Sequence, residues 1–211
     1  MFSAHTVENT VKLMANLDKT AARTSNSGYL LRILGFLLLT LSTFITMFLY
    51  AVVIRFTPIP AFVFHINAAL YNIGLLLAAI GFVMLQSVTK SGVDLAVLTT
   101  LFLAVGVSLI NMIPQMGVAR LAFQLLSVLY FVALAVRVFP QNKALAVLLL
   151  AAFVYQLITS LFAPWIIETV TNLGILRPSL FKHGMRLCDV ICCVLCVLAV
   201  HSFRAEAGDK N

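Results

Sequence analysis

A long apolar stretch at residues 60–86, without a single charge, constrains this chain more than any other feature. Roughly 20 apolar residues at ~1.5 Å each cross the ~30 Å hydrocarbon core of a bilayer. Backbone polar groups must pair within the chain in lipid, so such a stretch is either a helix or a barrel strand of alternating polarity. The stretch does not alternate. It therefore predicts a membrane-spanning α-helix.

One side of this helix differs from the rest in residue type. Small and polar residues recur at i, i+4, i+7, i+11 and i+14, namely Asn67, Tyr71, Gly74, Ala78 and Gly81. This spacing places them on a single stripe of an α-helix. Small residues allow a neighbouring helix to approach closely, whereas lipid has no need of them. We predict that this helix-packing stripe faces other helices and that the segment is central to the fold.

The composition extends this interpretation to the whole chain. Of its 211 residues, 62% are hydrophobic and only 10% are charged, whereas soluble proteins carry about 25% charged residues. We therefore predict an all-α, polytopic integral membrane protein whose main partner is the lipid bilayer. The net charge is +7, but its basic residues occur singly near helix ends, where they meet phosphate headgroups. No nucleic-acid partner is predicted.

Successive apolar runs divide the chain into three regions. Residues 1–28 predict an amphipathic N-terminal helix, which either lies on the membrane surface or is an ordinary capping or linker helix, ended by a turn at 24–28. Residues 29–203 form the transmembrane domain, and residues 204–211 form a polar tail. Six spans are predicted within the domain, at 29–54, 60–86, 93–113, 116–139, 143–163 and 185–203. The polar segment 164–184 predicts a helix and loop lying on the membrane surface.

An even number of spans places both termini on one side of the membrane. Most of the Lys and Arg residues fall on that side, so the positive-inside rule predicts that both termini are cytosolic. We expect an intracellular organelle membrane rather than the plasma membrane.

Four cysteines lie in the last span, at Cys188, Cys192, Cys193 and Cys196. We interpret them as small packing residues, with lipidation near the interface as the alternative. A structural zinc ion needs four converging ligands, which one straight helix does not supply. The sequence therefore predicts no metal site.

Asp189 is the only acidic residue well inside a predicted span. An ionisable group at that depth usually has a partner, and Arg186 lies three residues earlier. A local ion pair is the first interpretation. The alternative is a transport path formed by Arg120, Gln124 and Asp189. His65 is interpreted as an interfacial histidine and not as a haem ligand, since no second histidine lies at a similar depth.

Motifs for catalysis are absent from the sequence, including phosphate-binding loops, paired carboxylates and nucleophile elbows. Only seven acidic residues are present, so general acid–base chemistry has few carriers. We therefore expect a protein that is not an enzyme and has no catalytic residues and no cofactor.

Two terminal stretches resemble the peroxin-eleven family, which remodels peroxisomal and glycosomal membranes. They read VKLMANLDKTAARTSNSGYLLRIL and NLGILRPSLFKHGMRLCDVICCVLCVLAV. The middle of the chain departs from that family, because apolar spans replace its polar amphipathic helices. Spans one to four also resemble, in pattern, the small four-span proteins of Golgi vesicles. These resemblances imply membrane shaping or trafficking and transfer no functional residue.

Two functions of different classes follow from these features. The first is assembly with other membrane proteins or with itself, as a complex subunit, a shaping factor or a trafficking factor. Its basis is the helix-packing stripe and the N-terminal helix. The alternative is a small transporter or channel for a solute or an ion.

Overall fold

The structure is a computed structural model that describes residues 4–49, 61–110, 125–172 and 178–208. In these ranges the elements are all α-helices: α1 (Ala4–Phe48), α2 (Ala61–Thr89), α3 (Gly92–Ile110), α4 (Leu129–Val138), α5 (Lys143–Asn172) and α6 (Pro178–Gly208). Five of them are long and apolar enough to cross a membrane. The structure therefore confirms the predicted all-α, polytopic membrane fold.

The shorter helix, α4, falls within the fourth predicted span. Its apolar helical stretch begins at Leu125 in the described part of the chain. The remainder of that span, at 116–124, lies outside the described residues. The predicted ends of the first and third spans, at 50–54 and 111–113, lie outside them as well.

The predicted turn at 24–28 is wrong, because α1 runs through it without a break. Its Ser, Asn and Gly residues favour a turn locally. Tertiary packing instead determines the structure here, since a Cβ on Gly28 would lie 3.0 Å from Met84 Cβ and 3.1 Å from the Gly81 carbonyl oxygen. Gly28 thus serves helix packing. The side chains of residues 1–25 lie outside the described part, so the amphipathic face of this helix stays a prediction.

The predicted surface segment at 164–184 is also wrong in its boundaries. Helix α5 continues through position 164 to Asn172, and α6 begins at Pro178. Proline is tolerated inside membrane helices because neighbouring groups satisfy the freed carbonyl, and it suits the first turn of a helix. The described parts of this segment are therefore extensions of the two long helices.

The helices pack in chain order and close into a ring. Each helix contacts the next one along the chain, and α6 returns to contact α1. Helices α1 and α6 are antiparallel, since Tyr29 Oη lies 2.9 Å from His201 Nδ1 and Thr43 Oγ1 lies 3.5 Å from Cys193 Sγ. We call the end of the bundle where Tyr29 meets His201 the terminal end.

The contact between α1 and α2 depends on glycine. A Cβ on Gly35 would lie 2.5 Å from the Ala78 nitrogen and 2.6 Å from the Gly74 carbonyl oxygen. A Cβ on Gly81 would lie 2.7 Å from the Gly28 carbonyl oxygen. Each helix thus contributes a pair of glycines seven residues apart, and side chains at these positions would push the two backbones apart.

Candidate functional site

A polar cavity of about 360 Å³ lies between the helices, in the half of the bundle away from the terminal end. Each of the six helices contributes to its lining. Polar groups on different helices include Thr46, Asn67, Ser108, Tyr130, Gln156 and Asp189. Ligand pockets in proteins start at about 300 Å³, so this cavity is of a size for a small molecule.

The wall between α1 and α2 is organised around Asn67. Its side-chain oxygen accepts a hydrogen bond from Ser42 Oγ at 2.9 Å, and its amide nitrogen donates to Thr46 Oγ1 at 2.6 Å. Ser42 Oγ also lies 3.0 Å from the Asn67 carbonyl oxygen. The glycine contact brings these two helices close enough for the bonds to form. Asn67 is therefore held in one orientation at the edge of the cavity.

The facing wall, between α5 and α6, carries the charges of the cavity. Asp189 accepts hydrogen bonds from Gln156 Nε2 at 3.0 Å and from Arg186 Nη1 at 3.3 Å. This confirms the predicted local ion pair. The Arg186 and Asp189 side chains are 42% and 18% exposed, so both remain accessible. Nearby, Tyr155 Oη donates to the Met185 carbonyl oxygen at 2.6 Å and ties α5 to α6.

The structure divides the predicted helix-packing stripe into two parts. Asn67 and Tyr71 line the cavity. Ala78 is fully buried, and Gly74 and Gly81 lie against α1. Of the predicted transport path, Asp189 lines the cavity, whereas Arg120 and Gln124 lie outside the described residues.

The cysteines are distributed over two sides of α6. Cys188 is exposed, whereas Cys192, Cys193 and Cys196 are buried, and all four are free thiols. Cys193 also lines the cavity. Lipidation is therefore sterically open at Cys188 and stays a prediction there. Among the described residues, no group of three or more His, Cys, Asp or Glu side chains is placed to hold a metal ion.

A second charged site, at the terminal end, was not predicted from the sequence. The fully buried Asp94 side chain accepts a hydrogen bond from Arg137 Nε at 2.8 Å and another from Thr89 Oγ1 at 2.7 Å. Asp94 lies near the start of α3 and Arg137 near the end of α4. Two consecutive antiparallel helices bring such positions to the same end of a bundle, but this signal does not show which helix faces meet.

No family model, curated protein or solved structure matches the chain. Function is therefore inferred from the cavity itself. The cavity lining contains an ion pair and several hydroxyl and amide groups, which are hydrogen-bonding groups of the kind that a small hydrophilic molecule requires.

Proposed function

We propose that this membrane protein binds a small polar solute in the cavity and carries it across the bilayer. The observation that carries the proposal is the polar lining, to which each helix contributes, together with the accessible Arg186–Asp189 pair. Ionisable groups inside a membrane bundle are costly and typically mark substrate or ion pathways. Hydroxyl and amide groups also join membrane helices to one another, so the charged pair, rather than these groups, distinguishes a solute path from helix packing.

The assembly hypothesis has lost part of its basis. Its main motive was the helix-packing stripe, but Gly74 and Gly81 contact α1 of the same chain. These small residues are therefore accounted for without a second protein. Four further points stay proposals. They are partner binding, the peroxin-eleven-like alternative, a non-enzymatic role, and an organelle membrane with cytosolic termini.

Flux through reconstituted vesicles tests the transport proposal. The purified full chain is placed in liposomes, and stopped-flow light scattering follows their swelling in glycerol, urea, glycine and potassium chloride. We expect faster entry of at least one of these solutes than in protein-free vesicles. Asp189→Asn and Asn67→Ala should slow that entry, because both residues line the cavity.

The control variant is His65→Gln. His65 lies on the exposed side of α2 and does not line the cavity, so its flux should equal that of the wild type. Entry rates equal to those of protein-free vesicles for all four solutes would contradict the proposal. Equal loss in the control and in the cavity variants would also contradict it.

A further inference from the structure

A second buried arginine, Arg32, lies near the Asp94–Arg137 ion pair at the terminal end of the bundle. Asp94 is fully buried and paired with Arg137, and Arg32 lies within electrostatic range of both residues. Two guanidinium groups against one carboxylate leave a net charge of +1. A buried charge without a counter-charge is expensive in a low-dielectric interior. Among the described residues, the cluster is therefore short of one negative charge.

Arg32 is held firmly, but one of its guanidinium nitrogens lacks a hydrogen-bond partner. Its side chain is buried, with Nε donating to the Gly28 carbonyl oxygen at 3.1 Å and the guanidinium 5.3 Å from the centre of the Phe82 ring. The residue is only 3% exposed, and its Nη1 is buried with no hydrogen-bond partner. Arginine stays charged in proteins, so this nitrogen needs an acceptor.

Other unpaired polar atoms belong to residues at the same end. They are Gln86 Oε1 and both side-chain heteroatoms of Gln141. Gln86 lies three residues before Thr89, and Gln141 lies four residues after Arg137. Among the described residues, the one further buried and unpaired side-chain atom belongs to Asn72. Unpaired donors and acceptors thus lie at the same end as the positive charge that the described residues leave uncompensated.

We propose that the terminal end binds a phosphate group, with Arg32 as its principal ligand and Arg137 beside it. The group belongs to an anionic phospholipid headgroup or to free phosphate. Guanidinium groups match the geometry of phosphate oxygens. Asp94 and Arg137 lie at the ends of their helices, the depth at which basic pockets between membrane helices bind anionic headgroups. The site is separate from the cavity and does not depend on the proposed transport.

Thermal unfolding of the full chain in dodecyl maltoside tests the site. Dioleoylphosphatidylglycerol, dioleoylphosphatidylcholine, sodium phosphate and sodium chloride are titrated separately, the salts at matched ionic strength. We expect phosphatidylglycerol to raise the midpoint temperature of unfolding and phosphatidylcholine to leave it unchanged. A rise with phosphatidylglycerol alone assigns the ligand to lipid, and a rise with sodium phosphate assigns it to free phosphate. No rise with either, or an equal rise with phosphatidylcholine, overturns the proposal.

Two variants that change the net charge of the cluster in opposite directions distinguish anion binding from a purely structural role of these residues. Arg32→Gln removes the principal ligand and should raise the half-saturating anion concentration at least tenfold. Asp94→Asn takes the cluster from +1 to +2 and should lower that concentration. A structural role would depress the unfolding midpoint in both variants without moving half-saturation in opposite directions. Lys143→Gln, at an exposed lysine of the same end, should behave as the wild type.

A further variant keeps the test decisive if Asp94→Asn does not fold. Arg137→Gln takes the cluster from +1 to neutral and should weaken anion binding in the same direction as Arg32→Gln. If the half-saturating anion concentration is unchanged in both arginine variants, the proposal is overturned. Because Arg32 also packs against Gly81, Arg32→Lys is measured beside it. This variant keeps the charge, so its half-saturation should lie between those of the wild type and Arg32→Gln.

Discussion

A single methyl group at Gly35 should separate the two most closely packed helices. A Cβ there would lie 2.5 Å from the Ala78 nitrogen and 2.6 Å from the Gly74 carbonyl oxygen, whereas ordinary contact begins at 3.4 Å. Both neighbours are backbone atoms, which no rotamer change can move. In Gly35→Ala, α1 and α2 must therefore part by about 1 Å. Overpacking of this kind costs about 1–3 kcal/mol.

Two effects oppose each other in this variant. Alanine is the better helix former by about 0.8–1 kcal/mol, and at Gly35 the steric cost exceeds this gain. Gly106 of α3 is the matched control, because a Cβ there meets nothing within 4 Å. Gly106→Ala should thus keep the gain in helix propensity without a steric cost.

Thermal unfolding in detergent distinguishes the two variants. For a chain of this size a change of 1 kcal/mol moves the midpoint by about 2–4 °C. We expect Gly35→Ala to unfold several degrees below the wild type, and Gly106→Ala at the same temperature or slightly above it. Equal midpoints for the two variants would refute the close contact between α1 and α2.

Two further predictions concern the buried pair and the cysteines. Arg137→Met removes the cation that is hydrogen-bonded to the buried Asp94 carboxylate and should lower stability by about 1–3 kcal/mol, the cost of a buried acceptor left without its donor, measured by thermal unfolding; adding Asp94→Leu removes that acceptor and should recover part of this loss, and no recovery would contradict the pairing. In the folded protein, maleimide should modify Cys188 first, and Cys192 and Cys196 only after unfolding, since both are buried. Equal rates by mass spectrometry would contradict the orientation of α6.

The sequence predicts the helices well because membrane solvation leaves few options. Uninterrupted apolar runs have to be helical, and this physical limit holds wherever the chain lies in the bundle. The turn at 24–28 was mispredicted for the opposite reason. Its composition is that of a turn, and nothing local to it reveals that Gly28 faces Gly81 on another helix. Gly28 and Gly35 were therefore not recognised as the partners of Gly74 and Gly81.

The sites are harder to predict than the helices because they depend on which faces meet. Asp189 and Arg186 are three residues apart, so their pairing follows from helix geometry alone. Asp94 and Arg137 are separated by 43 positions, and one sequence does not show which side of α3 faces α4. The cavity raises the same difficulty, since it brings together single polar residues from separate helices.

The order in which the ring closes has a consequence for biogenesis. Helices that neighbour one another in sequence can pair as hairpins while the ribosome is still translating, whereas the contact between α1 and α6 joins the first segment to the last. Non-local contacts of this kind form late. The hydrogen bonds between Ser42 and Asn67 can form early in translation, because α1 and α2 are synthesised first. Asp189 reaches its position at the cavity only when synthesis nears its end. Chains truncated before α6 should therefore be recognised by quality control as unfinished.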